Sequence, residues 1–313
     1  MTEQPTALVH EQPKSERSPR EETLASYRTQ FATFLHERWD ESKFGKFPME
    51  KPTEDFVSLG AEGVTNGIHE LNTERITPDN LRALTRVLDA MHTPSSEFQT
   101  WVRSTNAEIP TESWLHKDNP KFAQRGKEWW TDRLTELTKT INENKNLYNS
   151  IDPNFPLEEK LGEMIRNNFD LYPHTDGTID KPALAADAVV IHGALYPATI
   201  RIHTHEHGVD FSVGGGDRAQ GYGLRGHMID WLVTSAAASP DHQLALIDEF
   251  LTLHPSDKDK RGLAMQLMYR SVMELPWFLK NNKPEEVKNL ARLTYDIVKG
   301  NGVWAGVNTP LAA

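Results

Sequence analysis

The chain holds 313 residues, no cysteine, thirteen histidines, and 34 basic against 45 acidic side chains, for a formal charge of −11. The length allows one or two domains with a real core, while a hydrophobic share of 37% and a mean hydropathy of −0.60 leave part of the chain for solvated tail or loop. Without cysteine there is no disulfide framework, thiolate nucleophile, Cys-ligated zinc or iron–sulfur cluster, so any metal must be held by His, Asp or Glu.

The acidic balance argues against nucleic acid as a partner, because phosphate neutralisation needs clustered Lys and Arg. The densest basic run, Lys258–Arg261, is interrupted by Asp259 and preceded by Asp257, which suits a solvated helix start. The longest apolar stretches, such as Ala188–Ile191, are far short of the roughly 20 residues a membrane helix needs. With no apolar signal core at the N-terminus, the expectation is a soluble, cytoplasmic protein with no membrane partner. Export by a signal without such a core stays open.

In chain order, residues 1–18 are rich in Gln, Glu, Pro, Ser and Lys and read as a disordered arm. Ser18-Pro19-Arg20-Glu21 forms a capping box with Pro at the first helical position, followed by Leu24, Tyr27, Phe31, Phe34 and Leu35 at helical spacing up to Trp39. Thr77-Pro78 opens a helix whose apolar face is Leu81, Leu84, Val87, Leu88 and Met91. Another follows Asn119-Pro120, carrying Trp130, Leu134, Leu137 and Ile141. The polar stretch from Asn142 to Pro156 is the candidate boundary between a helical region, 19–145, and an α+β region, 156–313, although one continuous domain fits nearly as well. A helix over Leu157–Asn168 buries Leu161, Met164 and Ile165.

From Ala198 to Val213 the apolar period switches to two, the signature of paired strands. A two-residue turn at His207-Gly208 sets Glu206 opposite Val209, His205 opposite Asp210, and Ile202 opposite Val213. One face is then Ile200, Ile202, Thr204, Val209, Phe211 and Val213; the other is Arg201, His203, His205, Asp210 and Ser212. The turn removes His207 from the polar face, leaving His203, His205 and Asp210 as the candidate site. Two chemistries suit that set. It could ligate Zn, Fe or Mn, or work without any cofactor, Asp210 orienting His205 as a general acid or base. A solvated sheet surface with no chemistry is the structural alternative.

The following segment, Gly214–Gly226, is glycine-rich and ends at a helix start, which resembles an anion cradle with Arg218 and Arg225; a plain flexible connection is the favoured reading. It carries no dinucleotide or Walker pattern. Together with Arg201, these arginines would bind an anionic small molecule or phosphorylated group. Asp176–Asp180 looks like the middle of an EF-hand loop, but Tyr172, His174 and Ala183 fall where oxygen ligands are required.

Helices resume after Gly226 with Met228, Trp231 and Leu232, then from Ser239-Pro240 with Leu244, Ile247, Phe250 and Leu251. Ser256 caps a longer helix that Pro276 is expected to end or kink. Lys283-Pro284 opens the last, closed by Gly300. The expected fold is α+β, predominantly helical, with a small antiparallel sheet built on the hairpin; Ala188–Tyr196 reads slightly better as a helix than as its third strand. The functional expectation is an enzyme acting on an anionic or phosphorylated substrate, its reaction type open among lyase, hydrolase and transferase. The rival is a helical protein-interaction module, regulatory or effector-like, in which a protein partner replaces catalysis.

Overall fold

The computed structural model describes residues 32–48, 54–60, 70–92, 95–105, 135–136, 138–154, 156–168, 174–175, 178–179, 189–191, 195–214, 221–223 and 225–307. The fold is α+β and predominantly helical, with a three-stranded antiparallel sheet. Its helices are α1 (32–38), α2 (Glu41–Phe44), α3 (Pro78–Met91), α4 (Ser95–Thr105), α5 (Lys145–Asn149), α6 (Leu157–Asn168), α7 (Asp230–Ser235), α8 (Pro240–Leu253), α9 (Asp257–Lys280) and α10 (Pro284–Lys299). Residues 135–136 and 138–143 are also helical; the Asn119-Pro120 start expected for that helix, and the Ser18 box, lie outside the described residues.

Several helix starts follow from local chemistry. Thr77 caps α3 by accepting from the Asn80 N–H, while the Asn80 side chain returns to the Thr77 N–H, and Pro78 occupies the first turn. All five expected apolar residues of α3 are buried. Ser256 caps α9 through the Asp259 N–H. Gly300 ends α10 in the left-handed conformation, φ 74°.

One helix end and one apolar face are corrected. Of the two outcomes expected at Pro276, an end is excluded, because α9 runs through it to Lys280. The proline lies on the exposed side of the helix, where water can hydrate the carbonyl that its missing N–H leaves without a partner. In α8, Leu244 is exposed rather than part of the apolar face, which is built from Ala245, Leu246, Ile247 and Phe250. α4 was not anticipated at all.

The sheet has the order β1 (Val57–Ser58), β5 (Ile200–His205), β6 (Gly208–Val213), all neighbours antiparallel. Ile200, Ile202, Phe211 and Val213 enter the main core beside Leu88, Phe250, Leu263 and Ile297. That core draws on residues both before and after the Asn142–Pro156 stretch. Within the stretch Tyr148 is buried, and burial pushes its hydroxyl up to about 12. Asp152 accepts from Tyr295 and Lys299 of α10, which hold its carboxyl below the ordinary range.

Among the described residues, two further two-stranded pairs lie beside this sheet in the topology. β2 (His174–Thr175) pairs with β3 (Thr178–Ile179), and β4 (Val189–Ile191) pairs with β7 (Gly221–Gly223). Val189–Ile191 is thus a strand, correcting the helical expectation, and it pairs with the glycine-rich segment rather than with the hairpin. Among the described residues no helix is long and apolar enough to cross a membrane.

Candidate functional site

The hairpin forms where expected, but its turn sits one residue earlier. Glu206 and His207 are the turn, and Gly208 opens β6. His205 therefore faces Gly208, His203 faces Asp210, Arg201 faces Ser212 and Ile200 faces Val213. The expected pairing of His205 with Asp210 is corrected to His203 with Asp210. Gly208 adopts φ 148°, a conformation that suits glycine alone, so its backbone freedom serves the start of the return strand. The pairing moves by two positions and strand faces alternate with period two, so every residue keeps its assigned face.

That polar face is partly roofed. Asp210 and Ser212 are buried, His203 is half-buried, and Arg201 and His205 are exposed. The roof is the chain after α2. Gly45 turns at φ 74°, the Lys46 N–H donates to Asp210 Oδ1 at 3.2 Å, and the Val213 N–H donates to the Pro48 carbonyl at 2.6 Å. A Cβ on Gly45 would lie 2.8 Å from Asp210 Oδ1, so glycine is needed both for the backbone angle and for this close approach. Trp39 Nε1–H donates to the Gly45 carbonyl at 2.8 Å and its ring packs on Phe44 and Phe47, fixing the loop from outside.

Over the buried Asp210 carboxylate lie two cationic or protonatable groups. His205 Nε2 is 3.5 Å from Asp210 Oδ2, and Lys46 Nζ is 3.8 Å from the same oxygen. The His207 N–H donates to His205 Nδ1 at 3.2 Å, which assigns the neutral ring its proton on Nε2, toward Asp210. His203 packs between Phe56 and His205, with ring centroids 5.5 and 5.6 Å away; its Nδ1 is buried without a hydrogen bond among the described residues. Sequence reasoning missed Lys46 and Phe56. Both come from the N-terminal side of the chain, where no spacing rule links them to the hairpin.

As for metal, among the described residues no group of three or more His, Asp or Glu side chains is placed to hold an ion. At the hairpin, His205 Nδ1 is occupied by the turn, and the Lys46 ammonium faces the oxygen that a cation would need.

The three arginines expected to bind substrate differ in what surrounds them. Arg201 is on the polar face. Arg218 lies outside the described residues. Arg225 is paired instead with Asp89 at the end of α3, Nη1 to Oδ1 at 3.2 Å. On the same oxygen, His254 Nε2 sits at 2.7 Å. Burial by itself pushes the Asp89 carboxyl up, but the hydrogen bond from His254 and the charges of His254, Arg225 and His92 outweigh it and hold the group below its ordinary range. This second His–Asp pair joins residues 165 positions apart, and no sequence motif marks it.

An open groove of about 390 Å³ lies between α1 and α4, lined by Phe34, Arg38, Glu97, Thr100, Trp101 and Ser104. Arg38 and Glu97 are ion-paired across it, and the Trp101 ring packs on Phe34 and Phe98. No protein family, curated protein or solved structure matches the chain significantly.

Proposed function

We propose that this protein is an enzyme acting on an anionic or phosphorylated substrate at the polar face of the hairpin. The observation that carries this reading is the stacking of charge there: a buried carboxylate, Asp210, beneath His205, with the exposed cations Arg201 and Lys46 on the same side of the sheet. The cations attract the anion, and the buried carboxylate faces His205 Nε2 and orients the ring. In this mechanism protonated His205 donates from Nδ1 to the substrate. The nitrogen, once bare, receives the His207 N–H, so the turn is already arranged for the product state. The Lys46 ammonium beside Asp210 favours this proton-transfer role over metal ligation.

The test is turnover of a panel of phosphorylated and carboxylated small molecules by the full-length protein. His205→Gln should lower turnover about 100-fold or more, and Arg201→Gln should raise KM; a His205→Gln protein that turns over normally sinks the reading. Stoichiometric Zn, Fe or Mn that is lost in a His203→Ala/His205→Ala variant would restore the metal alternative.

The second reading, a protein-interaction module, is favoured by the α1–α4 groove. Its aromatic floor and Arg38 rim match the residue types that anchor protein contacts, and its occupant would be an apolar side chain of a partner protein. In that case Trp101→Ala abolishes partner binding while the hairpin variants leave it unchanged.

A further inference from the structure

We propose that His254, Asp89 and Arg225 form a second site, separate from the hairpin, that binds an oxyanion and exchanges a proton with it through His254. The three side chains come from three elements: the end of α3, the cap of α8 and the 3-10 turn Arg225–Met228. Their side chains are 25%, 14% and 24% exposed, shielded enough to strengthen electrostatics yet open to a small solute.

Each group has a defined role. Asp89 Oδ1 receives His254 Nε2–H at 2.7 Å, which fixes the tautomer and leaves Nδ1 as the basic nitrogen. His254 Nδ1 bonds to no group among the described residues, and the ring is steadied by Phe250, with centroids 5.1 Å apart. Here the pair differs from His205, whose Nδ1, when the ring is neutral, accepts from its own turn. Arg225 spends Nη1 on Asp89, and its other N–H groups bond to no described partner, so they can hold oxyanion oxygens. His92, the C-cap of α3, adds a further charge toward Asp89 when protonated.

In the reaction direction, a substrate O–H or N–H proton passes to His254 Nδ1 and the bonding pair stays on the substrate atom. The imidazolium so formed rests against ionised Asp89, and the reverse step returns the proton. The ligand class is a phosphate or carboxylate carrying a proton beside the anion. The site does not depend on the reading of the hairpin.

The experiment is histidine side-chain 1H–15N NMR of the full-length protein at pH 7, titrated with inorganic phosphate and separately with acetate. Saturable movement of the His254 signals with phosphate alone identifies a phosphoryl site; movement with both identifies a general oxyanion site. Arg225→Gln should abolish the response at His254 and leave any response at His203 and His205, whereas Arg201→Gln should do the reverse. The two sites therefore succeed or fail separately. Arg225→Lys, which keeps the charge should the glutamine variant not fold, should bind at least about threefold more weakly because the planar fork is lost. His254 signals that ignore both anions, or a response that survives Arg225→Gln, overturn the proposal.

Discussion

Among the described residues, two His–Asp pairs are built in opposite ways. His205 and Asp210 are neighbours in one hairpin, their contact is 3.5 Å, and the carboxylate is shared with Lys46. His254 and Asp89 belong to different helices, meet at 2.7 Å, and share the carboxylate with Arg225. In the hairpin pair it is the carboxylate that is locked in place, by the Lys46 backbone, while the imidazole stays exposed. In the helical pair both partners are half-buried and each positions the other. A local pair inherits its geometry from the strand period. A distant pair needs a direct, short hydrogen bond, because nothing else brings its members together.

Four measurements break or sharpen that contrast. The largest effect belongs to Gly45→Ala, which places a methyl 2.8 Å from Asp210 Oδ1 at φ 74° and should cost about 2–3 kcal/mol in urea unfolding. A loss under about 0.5 kcal/mol would mean that the hairpin carboxylate is not locked by the loop. Next, Asp89→Asn removes the ionised acceptor from two donors and should cost about 2 kcal/mol. In a double-mutant cycle with His254→Gln, the two losses should fall short of additivity by about 1 kcal/mol or more. Independent losses would show that the 2.7 Å contact is not energetically coupled.

His205→Gln should change stability by less than about 0.5 kcal/mol, since its contact is long and the ring is exposed. A loss as large as that of Asp89→Asn would erase the distinction between the pairs. The smallest effect is in acid. The folded Asp89 carboxyl titrates below its unfolded value, so its contribution is fully present above the ordinary carboxylate pKa of about 4 and is lost as pH falls through the lower folded value. Asp89→Asn should therefore flatten the stability profile below about pH 4, compared with the parent chain. Equal slopes for the two proteins would remove Asp89 from the acid response.

The contrast also explains what the sequence could reveal. The face of each hairpin residue was legible because apolar and polar side chains alternate from Ile200 to Val213. The pairing was not, because registers two residues apart share the same faces; the decision fell to the turn, where Gly208 serves the return strand. Thr77-Pro78 and Ser256 announced their helices through capping chemistry that acts within three residues. Val57–Ser58 is too short to show any period, so the third strand was invisible. Lys46, Phe56 and the Asp89–His254–Arg225 cluster arise only when distant segments pack. Arg225 meets a carboxylate 136 positions earlier, a contact that no local spacing announces.

The loop that roofs Asp210 has a kinetic consequence. β5 and β6 are separated by a two-residue turn, so they can pair within microseconds, whereas the Lys46–Asp210 bond closes a gap of 164 positions. The roof should therefore settle after the rate-limiting step, when the core beneath the sheet has already formed. Substitutions at Gly45 should then have φ-values near zero, hastening unfolding while leaving the folding rate almost untouched. Stopped-flow chevrons of Gly45→Ala would show this as a displaced unfolding arm, and a displaced folding arm would place the roof in the nucleus instead. How long the hairpin carboxylate stays covered is thus set by the unfolding barrier of the N-terminal segment.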